Sequence, residues 1–223
     1  ASFPRLPAAE VSLGVILSSM EPLASRIRPR RLEDFVGQTH LVGPTAPLYQ
    51  AIQEKHLFSF VLWGPPGVGK TTLARIYAGS LNARFFDLSA VSAGKPDVKQ
   101  IVETETTQAK VLFLDEIHRF NKAQQDYLLP YVERGELTRI GGTTENPSFE
   151  VIAPLLSRMK VFVLNPLSNE ELETIIDRAL KVLDGQGQSG VPREAKDWLV
   201  GYADGDARRA LTVLASTQKL YGR

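Results

Sequence analysis

Apolar runs and polar breaks alternate through residues 58–164, and the runs come in two periods. Phe58 to Trp63 is an aromatic-rich run that stops at a Gly/Pro cluster, the mark of a buried strand. A helix over 48–57 leads into it, and Leu73, Ile76, Tyr77 and Leu81 then recur at helical spacing. A short strand at 84–88, a turn at 92–96 and a short helix marked by Val98, Ile101 and Val102 come next. Residues 110–114 read as a third strand, ending in Asp115-Glu116. Leu128, Leu129 and Val132 mark another helix, 138–143 a fourth strand, 151–156 a short helix and 160–164 a fifth strand. This alternation predicts an α/β fold with a parallel five-stranded sheet and helices on both faces. Ligands of such sheets bind beyond the carboxyl ends of the strands.

From Asn165 the pattern is helical only. Ser168-Asn169-Glu170-Glu171 is a capping box, and Leu172, Ile175, Ile176, Ala179, Leu180 and Leu183 form one apolar stripe behind it. A polar loop at 185–190 separates it from helices at 193–202 and 206–221. The chain therefore divides into a leader over 1–21, an α/β core over 22–165 and a small all-α lid over 166–223.

Chemistry enters where the first strand meets its helix. Gly64, Gly69, Lys70 and Thr71 occupy the fixed positions of G-x-x-x-x-G-K-[ST]; Pro65, Pro66, Gly67 and Val68 fill the gap, and Thr72 comes after. Glycines let backbone N–H groups approach phosphate oxygens, and the opening helix turns a partial positive charge to the same anion. Lys70 supplies a cation to the β- and γ-phosphates, and the Thr71 hydroxyl can ligate Mg²⁺. An ordinary glycine-rich turn is the plain alternative; strand, loop and helix in the required order argue against it. At the third strand's end, Asp115 is placed to hold Mg²⁺ and Glu116 to orient and deprotonate water. Strands often end in acids, so this pair draws its weight from the loop. Thr144 or Asn146, after the fourth strand, reads as a sensor of the γ-phosphate, with turn chemistry at Asn146-Pro147 as the alternative. The proline- and arginine-rich segment 21–43 reads as an arm laid over the site, with Arg28, Pro29 and Val36 sandwiching a base, or else as a basic surface arm.

Composition narrows the picture. A net charge of +1 is too small to argue for nucleic acid or membrane, so local patches must carry any such partner. The chain has no cysteine, which excludes disulfides and thiolate chemistry and fits a reducing cytoplasm. His40, His56 and His118 show no metal-ligand spacing, and His118 reads as a surface contact. In the leader, the apolar run 11–17 is too short to span a bilayer, and its faint signal-peptide character conflicts with a cytosolic-type nucleotide loop.

Residues 64–72, 114–116, 157–158 and 205–208, in this order, resemble an AAA+ ATPase, with Walker A, Walker B, arginine finger and sensor 2. Pro22-Leu23-Ala24 with Arg28-Pro29, then 117–122 and 143–149, resemble the replication-associated recombination protein A family, relatives of the Werner-helicase-interacting protein in the clamp-loader-like clade. The resemblance implies ATP and Mg²⁺ as ligands and a DNA-dependent ATPase at stalled or damaged forks. It makes Arg158 a finger for a neighbouring subunit's γ-phosphate and Arg208 a second phosphate contact, with Arg209 facing solvent. Read alone, the two would be a helix-dipole arginine and part of a solvated basic turn. It also implies DNA with single-stranded gaps or ends, single-stranded-DNA-binding protein, self-association through a C-terminal helical region beyond residue 223, no membrane, and a cytoplasmic, nucleoid-associated setting. Lys95 and Lys99, on a helix whose start faces DNA in related clamp loaders, are candidate phosphate contacts, opposed by Asp97. Two departures stand out: Gly142, where alanine is usual, and Pro154 before the finger. A junction branch-migration motor, a clamp-loader subunit and a nucleotide-gated binding module with little turnover are the competing readings.

Overall fold

β1 (Phe60–Trp63), β2 (Arg84–Ser89), β3 (Lys110–Asp115), β4 (Thr138–Thr143) and β5 (Lys160–Val163) pair in parallel in the order β2-β3-β4-β1-β5. They belong to a computed structural model that describes residues 22–184 and 191–221. The leader and the 185–190 loop fall outside the described residues. This is the parallel five-stranded sheet that the alternation predicts. Helices α1 (Leu23–Arg26), α2 (Thr39–Val42) and α3 (Pro47–Gln53) precede it, and α4 (Lys70–Ser80), α5 (Lys95–Glu103), α6 (Lys122–Glu133), α7 (Pro147–Glu150) and α8 (Ala153–Leu156) lie between its strands. α9 (Asn169–Asp184), α10 (Arg193–Ala203) and α11 (Ala207–Tyr221) form the helical C-terminal region.

Side chains on a strand alternate between faces, and the core splits accordingly. Phe60, Leu62, Phe113 and Ile140 pack with Leu73, Ile76 and Tyr77 of α4 on one face. Leu112 and Leu114 pack with Val98, Leu128 and Leu155 on the other. In the lid, Leu172, Ile176 and Leu180 meet Leu199, Val200, Ala203 and Ala210. α1 does not sit on the sheet: Leu23 is buried against Ala179 and Leu211 of the lid, so the N-terminal arm ties the two regions together.

Several ends differ from the periodicity for local reasons. The first strand starts at Phe60 because the Phe58 N–H donates to the Tyr77 hydroxyl (3.2 Å), which donates in turn to the His56 carbonyl (2.7 Å). The preceding helix stops at Gln53, since Lys55 takes a left-handed φ of 53°. Of the helix expected at 151–156 only 153–156 is helical, as α8; Val151 and Ile152 are extended, and a further single turn, α7, comes before them. Buried Gln125 braces this break, donating to the Phe120 and Glu150 carbonyls and accepting from the Ile152 N–H. Pro154 stands in the first turn of α8, where the missing N–H costs nothing. The capping box forms as expected: Ser168 accepts from the Glu171 N–H (3.2 Å), and Glu171 accepts from the Ser168 N–H (2.8 Å).

Candidate nucleotide site

The loop between β1 and α4 is shaped by two residues with positive φ, Gly67 (72°) and Gly69 (99°). A Cβ on Gly69 would lie 2.9 Å from the Phe35 ring, and one on Gly67 would lie 1.6 Å from Oδ1 of Asp206 in the lid. Both positions therefore need glycine for conformation and for room. Gly69 precedes α4, so the first amides of that helix have no intrahelical acceptor and face the loop's concave side. Lys70 Nζ donates to the carbonyls of Gly64 (2.7 Å) and Pro65 (2.8 Å). Burial pushes the Lys70 ammonium pKa down; Asp115 opposes that shift and Arg208 adds to it.

The loop floors a pocket whose other walls come from three directions. Asp115, Glu116, Thr143 and Thr144 reach it from the carboxyl ends of β3 and β4. Arg28, Pro29 and Val36 come from the N-terminal arm, and Arg208 from the lid. Of the predicted loop contacts, Pro66, Gly67, Val68, Gly69, Lys70, Thr71 and Thr72 line the cavity. Gly64 and Pro65 do not, and act instead through the carbonyls that hold Lys70. Glu116 has a left-handed φ of 53°, a conformation that non-glycine residues adopt at a cost, and its N–H donates to Asp115 Oδ1 (3.1 Å). A Cβ at Gly142 would come within 2.9 Å of Phe113 and 3.0 Å of Asp115 Oδ1, so the glycine there leaves the aspartate room.

Residues 27–159 match the family model described as the Holliday junction DNA helicase RuvB P-loop domain. The chain belongs to that P-loop ATPase family. Its sequence is 49% identical over 199 residues to replication-associated recombination protein A of Coxiella burnetii, covering 86% of this chain and 45% of that protein. It is 43% identical over 214 residues to the protein of the same name from Escherichia coli K12, covering 92% of this chain and 48% of that one. These matches bear out the resemblance expected from the sequence. The chain thus spans about half the length of these curated relatives. Among solved structures, the Thermotoga maritima RuvB Holliday junction branch migration motor superposes with a TM-score of 0.70 at 30% identity, over 86% of this chain and 65% of that one.

Other predicted residues of this P-loop ATPase sit elsewhere. Asn146 is absent from the pocket wall; its side chain accepts the Ser148 N–H (3.0 Å) and caps α7, the geometry of the turn alternative. Thr144 alone of that pair reaches the cavity. Arg158 does not line it; the guanidinium donates to the Pro154 carbonyl (2.7 Å) and pairs with Glu133 (2.8 Å) on the surface. Arg209 is exposed, 3.8 Å from Asp206. Lys99 pairs with Glu103 (3.6 Å), Lys95 lies over the Tyr127 ring (5.7 Å), and Asp97 accepts the Gly94 N–H at the start of α5 (2.7 Å). Sequence reasoning missed the apolar end of the pocket, where Ala24, Ile27 and Phe35 meet Leu167, Ile175 and Leu211. Ile175 had a signal, but as part of a core stripe. It also missed Arg178, which lines the pocket and donates to the Asp34 carbonyl, and buried Gln38. Nothing in the spacing of either residue marks it.

Proposed function

We propose that this chain is the ATP-hydrolysing part of a DNA-dependent AAA+ protein acting in replication-fork maintenance, recombination and repair. The observation that carries the reading is the convergence of Lys70, Thr71, Asp115, Glu116, Thr144 and Arg208 on one cavity, in a chain 43–49% identical to replication-associated recombination proteins. The glycine cradle and the free amides at the start of α4 suit the phosphates, and the apolar arm-and-lid end suits a base flanked by Arg28, Pro29 and Val36. Lys70 and Arg208 neutralise phosphate charge. Thr71 and Asp115 would hold Mg²⁺, which supplies charge neutralisation at the β- and γ-phosphate oxygens. Among the described residues no cluster of three His, Asp or Glu could hold a metal alone, which suits an ion that takes much of its shell from nucleotide and water.

Glu116 accepts a proton from water as the water oxygen attacks the γ-phosphorus; the bond to the bridging oxygen breaks, leaving ADP and inorganic phosphate. Thr144 contacts the γ-phosphate side of the site. Arg158, held at the surface of its own subunit, completes the neighbouring subunit's site, so the working form is a homo-oligomer. DNA with single-stranded gaps, ends or forks, and single-stranded-DNA-binding protein, are its proposed partners, in the cytoplasm with the nucleoid. Lys95 and Lys99 are proposed DNA contacts; an unchanged salt slope of DNA affinity on replacing both with alanine would remove them. No helix among the described residues is long and apolar enough to cross a membrane.

A branch-migration motor is the second reading, favoured by the family model and by the RuvB structures. ATP turnover against forked, gapped, blunt and four-way-junction DNA tests both. Fork or gap stimulation that collapses in Glu116→Gln, and partial recovery on mixing Arg158→Ala with Lys70→Ala copies, is the expected outcome. Stimulation confined to four-way junctions favours the motor, and DNA-independent turnover would sink the leading reading.

A further inference from the structure

β3 and β4 lie side by side, Leu114 opposite Gly141, and each leaves the sheet into a turn that walls the pocket. One turn carries Glu116, the other Thr144. Among the described residues a single side-chain hydrogen bond joins them: Nδ1 of His118 lies 3.1 Å from Oγ1 of Thr143. We propose that His118 is a positioning residue for hydrolysis, coupling the water-activating turn to the phosphate-sensing turn through the Thr143 hydroxyl. This rests on the ATPase reading above.

The bonding capacity of the threonine makes the link specific. Thr143 is 1% exposed, so its hydroxyl relies on protein partners. It has one proton and two lone pairs. The Glu145 N–H donates to it (3.0 Å), and it donates to the Glu145 carbonyl (3.1 Å). The remaining lone pair faces His118, whose Nδ1 must carry the proton for every partner to be satisfied. If the proton moved to Nε2, Thr143 would have to turn its own proton to the imidazole and abandon Glu145. The imidazole's form therefore reads out the turn beside Thr144. On the other side, Ile117 is fully buried, and the Arg119 N–H donates to the Glu116 carbonyl (2.7 Å). The short helical turn 117–119 thus moves with Glu116, whose left-handed backbone is the strained point.

The chain has three histidines, so ¹⁵N-labelled imidazoles are resolvable one by one. The expected result is an Nδ1–H signature at His118 that shifts with Mg²⁺ and a non-hydrolysable ATP analogue more than with Mg²⁺ and ADP, and not in Thr143→Val. In turnover assays, His118→Leu lowers kcat about tenfold or more with KM within about twofold, and His118→Asn recovers most of the loss. Imidazole signals indifferent to the analogue, a loss confined to KM, or His118→Asn as poor as His118→Leu would overturn the proposal. Wild-type turnover with an unaffected His118→Leu sinks this inference alone, whereas Glu116→Gln turning over normally sinks the reading beneath it.

Discussion

Arg139 is fully buried on β4, on the sheet face opposite to Ile140. Its Nη2 donates to the sulfur of Met159 (3.1 Å), while Nε and Nη1 have no hydrogen-bond partner among the described residues. Burial pulls its pKa down to about 9. A cation with no carboxylate beside it opposes folding, so Arg139→Met should stabilise the protein by about 1–4 kcal/mol at neutral pH. The folded state loses this proton near 9 while the unfolded chain keeps it to a far higher pH, so wild-type stability rises as pH climbs past 9. The gain from Arg139→Met should accordingly shrink between pH 7 and pH 10, as urea melts at the two values would register; a destabilised variant at pH 7 rules the account out. Residues of the phosphate loop were legible because their spacing is a chemical template. Arg139 was not, since an arginine within 138–143 reads like any other strand residue until its depth is known.

Element by element, legibility followed periodicity. The stripe of α9 and its capping box are both real, and Leu172 at its head is fully buried against the other lid helices. Leu172→Ala should therefore cost about 2–5 kcal/mol, followed through Trp198, which stacks on Tyr202 in α10 at 5.3 Å; a cost under about 1 kcal/mol would mean the lid core does not depend on this helix. Short elements were read less well. The extended Val151 and Ile152 that part α7 from α8 depend on Gln125, a residue of another helix, and no local window contains it. The same limit hid the lid-side seat of α1, because Leu23 finds its partners more than 150 residues away.

For the molecule as a whole, arm, sheet and lid together wall the pocket. Gln38, left-handed at φ 56°, donates to the Asn165 carbonyl (2.7 Å) and accepts its N–H (2.9 Å), clasping the chain where the last strand gives way to the lid. Gln38→Ala removes both bonds and should cost about 1–3 kcal/mol while speeding release of a fluorescent nucleotide; unchanged release by stopped flow would mean the lid does not need this clasp. The change from alternating strands and helices to helices alone was visible in the pattern, but the joints across it were not, because they pair residues on different elements. Gly67 sits at one such joint. The phosphate-loop template names no residue for this position, yet its left-handed φ already calls for glycine. Here Asp206 presses against it. A smaller residue at 206 would open room at 67 but leave the left-handed backbone, so homologues should keep this glycine even where its lid neighbour, 139 positions on, has changed.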